Sequence, residues 1–192
     1  RSSFTDSLGT LVTTAEELEG AAVEAPIISG VAHDLGEAKI TIAGVRDEPG
    51  RAALVFEILA TADINIDMIV QNVSAAGITD ITFTLPMSDG DKAMAVLRGN
   101  KNEIGYETLT YDDQVAKVSL VGAAMRSHPG VSATTFRALA DAGINVEMIS
   151  TSEIRISVVV RAEDVTRAVQ AIHTAFGLDA DGEAVVYAGT GR

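Results

Sequence analysis

Residues 49–69 read PGRAALVFEILATADINIDMI and residues 129–149 read PGVSATTFRALADAGINVEMI. The two stretches lie 80 residues apart and align without a gap. Pro49/Pro129, Gly50/Gly130, Ala53/Ala133, Phe56/Phe136, Leu59/Leu139, Ala60/Ala140, Ala62/Ala142, Ile64/Ile144, Asn65/Asn145, Met68/Met148 and Ile69/Ile149 coincide. The segments just before them, AKITIAG at 38–44 and AKVSLVG at 116–122, match in character. Chance does not produce this density of matches in one register, so the chain carries a duplication. Whatever the unit is, it must be buildable twice within 192 residues.

Each copy reads as strand, helix, strand, strand, helix, strand. In the first, Ile40 and Ile42 alternate with polar residues, as a half-buried strand requires. Pro49-Gly50 breaks the chain, and Ala52, Val55, Phe56, Leu59 and Ala62 follow at helical spacing. Ile64, Ile66 and Met68 alternate again, as do Ile81, Phe83 and Leu85. A second helix over 89–99 turns Met94 and Leu97 inward, and YETLTY supplies the last strand. The second copy repeats the order through Val118/Leu120, Phe136/Leu139, Ile144/Val146/Met148, Ile154/Ile156/Val158 and Val165/Val169/Ile172. Hydrophobic residues make up 47% of the chain but aromatics only 4%, with no Trp, so the cores must be aliphatic.

The expected class is α+β: two tandem ferredoxin-like βαββαβ units, each an antiparallel sheet with helices on one face. Residues 1–26 read as a linker, 27–37 as an extra strand joining the sheets, 38–113 as the first unit and 114–192 as the second. AVVYAGTGR at the C-terminus reads as a final strand with a fraying tail. The open faces and edges of such small sheets need covering, which predicts pairing of units or of chains.

The formal charge of −13 argues against a phosphate-backbone partner, which would require Lys and Arg in excess. No apolar run is long enough to span a bilayer, so no membrane partner is expected. RSSFTDSLGT lacks the order of a secretory signal, and the expected location is the cytoplasm. The absence of Cys removes thiolate chemistry and Cys-based zinc sites. The three His stand at 33, 128 and 173 without ligand spacing, so no metal is expected. No cofactor is expected either, since no phosphate-binding glycine motif stands between a strand and a helix. Ser127 and His128 are neighbours in a turn, an arrangement with no third group to orient a base. Asp112-Asp113 is either a cation site or a solvated turn. The chain begins with Arg, as a processed product or part of something longer would.

Two features recur at equivalent places. RDEPGRA at 46–52 and RSHPGVS at 126–132 each put a Pro-Gly turn before a helix. A helix start offers unpaired N–H groups and partial positive charge suited to a carboxylate, and Gly permits close approach. QNVS at 71–74 and STSE at 150–153 end the second strand of each copy in polar groups. Each feature is either a plain turn or one edge of a binding site.

Two units with such loops resemble ACT domains, small-molecule-binding modules that commonly sense amino acids. SGVAHDLGEAKITIAG, INIDMIVQNVS, TDITFTLP, YDDQVAKVSLVGAAMRSHPGVSA, INVEMISTSEIRISVVV and AVVYAGTGR resemble, more narrowly, the regulatory half of bacterial aspartate kinases. The likeness covers about residues 27–192, and RSSFTDSLGTLV resembles the end of the preceding catalytic domain. That domain is missing, so the resemblance implies a chain not catalytic by itself: a separate β subunit or an excised regulatory part.

The resemblance further implies feedback control, by threonine and/or lysine, of the first step of aspartate-family amino-acid biosynthesis (lysine, threonine, methionine). Effectors would bind between ACT units. Asp47, Glu48, Pro49, Gly50 and Gln71 would face Asn145 and Val146, and Ser127, His128, Pro129 and Gly130 would face Asn65 and Ile66. Ser74, Thr79, Thr82 and Ser150 stand where family members tune the response. The loop SAAGI, 74–78, departs from the family in being shorter and less acidic. Implied partners are a second copy, paired through the ACT sheets, and a catalytic α subunit. Two competing readings are an enzyme using Ser127/His128 or the Asp pair, and a constitutive assembly subunit that binds no metabolite.

Overall fold

A computed structural model describes residues 28–73, 77–123, 125 and 128–178. The expected linker 1–26 and the C-terminal strand AVVYAGTGR lie outside the described residues, as do Ser74 and Ser127. The elements in chain order are β1 (Ile28–Asp34), β2 (Glu37–Arg46), α1 (Arg51–Thr61), β3 (Ile69–Val73), β4 (Ile78–Pro86), α2 (Gly90–Gly99) and α3 (Lys101–Ile104). They continue with β5 (Thr108–Asp112), β6 (Val115–Gly122), α4 (Pro129–Asp141), β7 (Met148–Thr151), β8 (Arg155–Arg161) and α5 (Val165–Ala175).

Two four-stranded antiparallel sheets result, in the orders β3-β4-β2-β5 and β1-β6-β8-β7. The first unit is β2-α1-β3-β4-α2-β5, the βαββαβ order of the repeat. In the second, the edge beside β6 is filled by β1, just as β5 fills the edge beside β2. The first unit is therefore nested in the chain between two strands of the second.

Alternation decides what each strand buries. Ile40, Ile42, Ile81, Phe83 and Leu85 face α1 and α2 and pack with Val55, Leu59, Met94 and Leu97. Phe83 meets Phe56 edge-on, ring centroids 5.8 Å apart. Val118, Leu120, Ile156, Val158 and Val160 do the same against Leu139, Val165, Ala168 and Ile172. On the opposite parity, Thr41 and Thr82 share a 2.9 Å hydroxyl hydrogen bond, and Ser119 and Ser157 one of 2.8 Å, while Lys39, Lys117 and Val159 stand on the same face.

The first helix of each unit ends in the same way. Ile64 N–H donates to the Leu59 carbonyl at 3.1 Å and Asp63 N–H to Ala60 at 2.9 Å. Ile144 to Leu139 and Gly143 to Ala140, both 2.9 Å, repeat the pattern. This double bond is a Schellman cap, and the residue after the helix must be left-handed to make it.

The units meet where Met68, Val115, Met148 and Val159 form a small buried cluster. Ion pairs flank it. Lys117 lies 2.5 Å from both Glu37 and Asp67, Lys39 pairs with Glu147, and Arg161 lies 2.6 Å from Asp112. Among the described residues, no helix is long and apolar enough to cross a membrane.

Candidate functional site

Each Pro-Gly loop is anchored to the hairpin of its own unit. In the first, Asp47 N–H donates to the Gly77 carbonyl at 3.0 Å, which ties the end of β2 to the start of β4. Gly50 precedes α1 with φ 92°, a left-handed turn that suits glycine. The Glu48 carboxylate receives Arg51 Nη2 at 2.7 Å and Nε at 3.2 Å. That hydrogen bond and the Arg51 charge hold Glu48 below the usual carboxylate range. Asp47 is exposed, and among the described residues its carboxylate has no hydrogen-bond or ion-pair partner.

In the second loop, His128 precedes α4 with extended backbone, φ −120° and ψ 94°. Its N–H donates to Met125 at 3.4 Å, and Met125 N–H donates to Glu153 at 3.2 Å. The loop thus leans on the polar end of β7. Met125, His128, Ser132, Thr151, Ser152, Glu153 and Ile156 enclose a cleft of about 610 Å³. Both polar and apolar groups reach it, and the start of α4 opens onto it.

The edges between each first helix and the following strand form the other candidate half. Asn65 and Asn145 are exposed, while Ile66 and Val146 are half-buried against their own cores. The next residue closes the segment: Asp67 N–H donates to Thr84 at 3.0 Å and Glu147 N–H to Val159 at 2.8 Å. Among the described residues, the N–H groups of Asn65, Ile66, Asn145 and Val146 have no acceptor. Two adjacent free donors in irregular backbone, repeated in both units, are suited to a carboxylate.

Within one chain the structure brings each loop to the strand end of its own unit. Among the described residues, no hydrogen bond or ion pair joins Asp47–Gly50 to Asn145–Val146. Gln71 is exposed on β3, paired with Ile81. Thr79 is buried and its hydroxyl donates to the Asn72 carbonyl at 3.0 Å, so it secures the β3–β4 pair. Thr82 is bonded to Thr41 on the polar face. Ser150 is exposed and opposite Ser157, on the parity away from the helices. The cleft is lined instead by Thr151, Ser152 and Glu153, together with Ser132. Strand alternation separates Thr151 from Ser150, and Ser132 sits in the first turn of the helix; both signals are readable in sequence.

Among the described residues, no cluster of His, Asp and Glu is arranged to hold a metal ion. The cleft presents hydroxyls of Ser132, Thr151 and Ser152 and the Glu153 carboxylate, while the free N–H donors stand at the edges before β3 and β7.

The ACT-domain family matches this chain over residues 40–100 and 118–176, one match per unit. The aspartokinase of Mycolicibacterium smegmatis is 54% identical over the whole chain, and that of Corynebacterium glutamicum 53%. The chain spans 46% of the length of either relative, so it corresponds to about half of them. Among solved structures, the ligand-free regulatory subunit of aspartate kinase from Thermus thermophilus superposes with a TM-score of 0.74 at 42% identity. That match covers 78% of this chain and 99% of the subunit. A structure of aspartokinase alpha and beta subunits gives 0.74 at 43% identity, covering 78% and 98%. A βαββαβ unit nested in a second four-stranded unit, both matched, and a regulatory subunit covered almost end to end lead to one conclusion: the chain belongs to the ACT-domain family, in the regulatory ACT part of the aspartate kinases.

Proposed function

We propose that this chain senses threonine and/or lysine, bound between ACT units, and imposes feedback inhibition on an aspartate kinase catalytic part. The observation that carries this reading is the duplicated pair of free N–H donors at Asn65-Ile66 and Asn145-Val146. Their counterpart is the duplicated Pro-Gly helix start. A free amino acid needs donors for its carboxylate, an acceptor for its ammonium and a pocket for its side chain. The edge supplies the first, the unpaired Asp47 carboxylate of the first loop the second, and the cleft beside the second loop offers room for the third.

Among the described residues of one chain no hydrogen bond or ion pair links Asp47–Gly50 to Asn145–Val146, which supports a site shared with a second copy. The exposed edge strand β3 supports this, with Ile69, Val70 and Val73 left open to solvent. Such an edge is a template for another strand. The catalytic partner is inferred from the relatives, of which this chain spans about half.

Calorimetric titration of the chain with threonine, lysine and both together tests the reading. Saturable heat with at least one of them, at millimolar concentration or below, is the expected result. No heat and no thermal shift with either, from a chain shown to be dimeric, would leave only a constitutive assembly role.

A further inference from the structure

The ion pairs between the units follow the internal repeat, but crosswise. Lys39 in β2 and Lys117 in β6 occupy the same place in AKITIAG and AKVSLVG. Asp67 and Glu147 likewise end the equivalent segments INID and INVE. Lys39 pairs with Glu147 and Lys117 with Asp67, so each lysine leaves its own unit and grips the acid of the other. Each acid directly follows one of the free edges, Asn145-Val146 or Asn65-Ile66. Each is followed in turn by Met148 or Met68, which enter the buried cluster between the units.

The edges lie between buried Ile64 or Ile144 and buried Met68 or Met148, with Asn65 and Asn145 exposed and Ile66 and Val146 half-buried. One backbone hydrogen bond after each edge, to Val159 or Thr84, is the nearest sheet contact. The lysine side chains are only 20% and 15% exposed, so these pairs are screened less than surface pairs. Burial works against the charge of Lys117, but hydrogen bonds to Asp67 and Glu37 outweigh it and hold the ammonium above its usual range. The two grips differ in their reserves. Glu147 also receives Arg161 at 3.3 Å, whereas Asp67 has Lys117 alone.

We propose that Lys39 and Lys117 are positioning residues, each unit's lysine fixing the effector edge of the other unit. The effector half of this statement rests on the proposed function; the crossed holding of the edges does not. A ligand that uses the N–H groups of Asn65 and Ile66 meets backbone pinned from β6, and one at Asn145 and Val146 meets backbone pinned from β2. Occupancy of either edge then bears on a strand of the other unit, β6 for Asn65-Ile66 and β2 for Asn145-Val146.

Hydrogen exchange on the ligand-free chain tests the crossing. Lys117→Met should speed exchange of the Asp67 and Met68 amides about tenfold, the size of one charge-assisted hydrogen bond. The Glu147 amide, in the unit that carries the mutation, should stay as protected as in wild type. Lys39→Met should act on Glu147 instead, and less strongly, because Arg161 remains. Lys117→Arg should restore protection. Asp67→Asn, at a half-exposed position, should reproduce the local effect even if Lys117→Met folds poorly. Equal loss of protection in both units, or none at Asp67 and Met68, would overturn the proposal. Titration of Lys117→Met with threonine and lysine gives the second reading, an expected tenfold loss of affinity. If wild type binds neither amino acid while the crossed exchange pattern appears, the effector reading fails and the positioning role stands.

Discussion

Asp63 and Gly143 close the first helices of the two units in the same left-handed backbone, at φ 52° and φ 67°. The duplication kept the cap but not the residue. A side chain at positive φ crowds the following carbonyl, at a cost of about 1–2 kcal/mol that glycine avoids and aspartate partly offsets. Asp63→Gly should therefore raise stability by roughly 0.5–1 kcal/mol, and Gly143→Ala should lower it by about 1 kcal/mol. Urea unfolding of the three proteins checks both signs.

Gly90 opens α2 against the ring of Tyr111. A Cβ placed there would collide with the Tyr111 ring and hydroxyl, and the ring itself packs on the first core. Gly90→Ala should destabilise the chain by about 1–3 kcal/mol despite its better helix propensity. Tyr111→Leu in the same chain should recover part of that loss. An unchanged melting temperature for Gly90→Ala would mean that the ring moves aside freely.

The ion pairs between the units make stability depend on pH. Burial raises the Asp112 carboxyl, but the Arg161 hydrogen bond, the Gln114 N–H and the nearby cations outweigh it and hold it below its usual value. A depressed folded value stabilises above the unfolded one, about 3.9, and is lost as pH falls through the folded value. Lys117 has the opposite sign: its contribution is complete below about 10.4 and fades as pH rises through its higher folded value. Stability should be flat between about pH 5 and 9 from these groups and fall in acid. Arg161→Met should shrink the difference in unfolding free energy between neutral and acid pH. An acid limb identical to wild type would remove Asp112–Arg161 from the account.

Asp47→Ala removes an exposed carboxylate with no partner among the described residues, so stability should change by no more than about 0.5 kcal/mol. A charge-assisted bond to an ammonium is worth about 1.5–3 kcal/mol, or roughly ten- to a hundredfold in affinity. Titration should show that loss for threonine or lysine, and a kinase carrying the variant should stay active while escaping inhibition. Wild-type affinity would make Asp47 a turn residue only.

Ile69, Val70 and Val73 on β3 are 51%, 37% and 54% exposed, an apolar edge too long to be left bare. The chain should sediment above its own 20.0 kDa. Val70→Lys should shift it towards that mass, because a charge on an edge strand opposes pairing. A wild-type monomer at micromolar concentration with threonine present would exclude the shared site.

Sequence alone determined whatever depends on neighbours along the chain. The duplication, the strand and helix order of the first unit, and the inward residues Ile40, Ile42, Phe83, Met94 and Leu97 are all set by local periodicity. The Pro-Gly starts were legible for the same reason. The strand expected from the alternation of Ile64, Ile66 and Met68, however, begins only at Ile69, and that of the second copy at Met148, because Asn65-Ile66 and Asn145-Val146 run as irregular backbone before the sheet. Tertiary structure decided what depends on partners far along the chain. Nothing in ISGVAHD specifies that β1 pairs with β6 and completes the second sheet, because an edge strand's partner is chosen by the vacancy it fills. Thr79 stands where the resemblance puts a response-tuning residue, and only the fold shows its hydroxyl buried and bonded to the Asn72 carbonyl across the hairpin. Lys39 and Lys117 read as ordinary strand lysines. Only the stacking of one unit on the other brings them to Glu147 and Asp67, since a Coulomb partner is selected by distance in space and not in sequence.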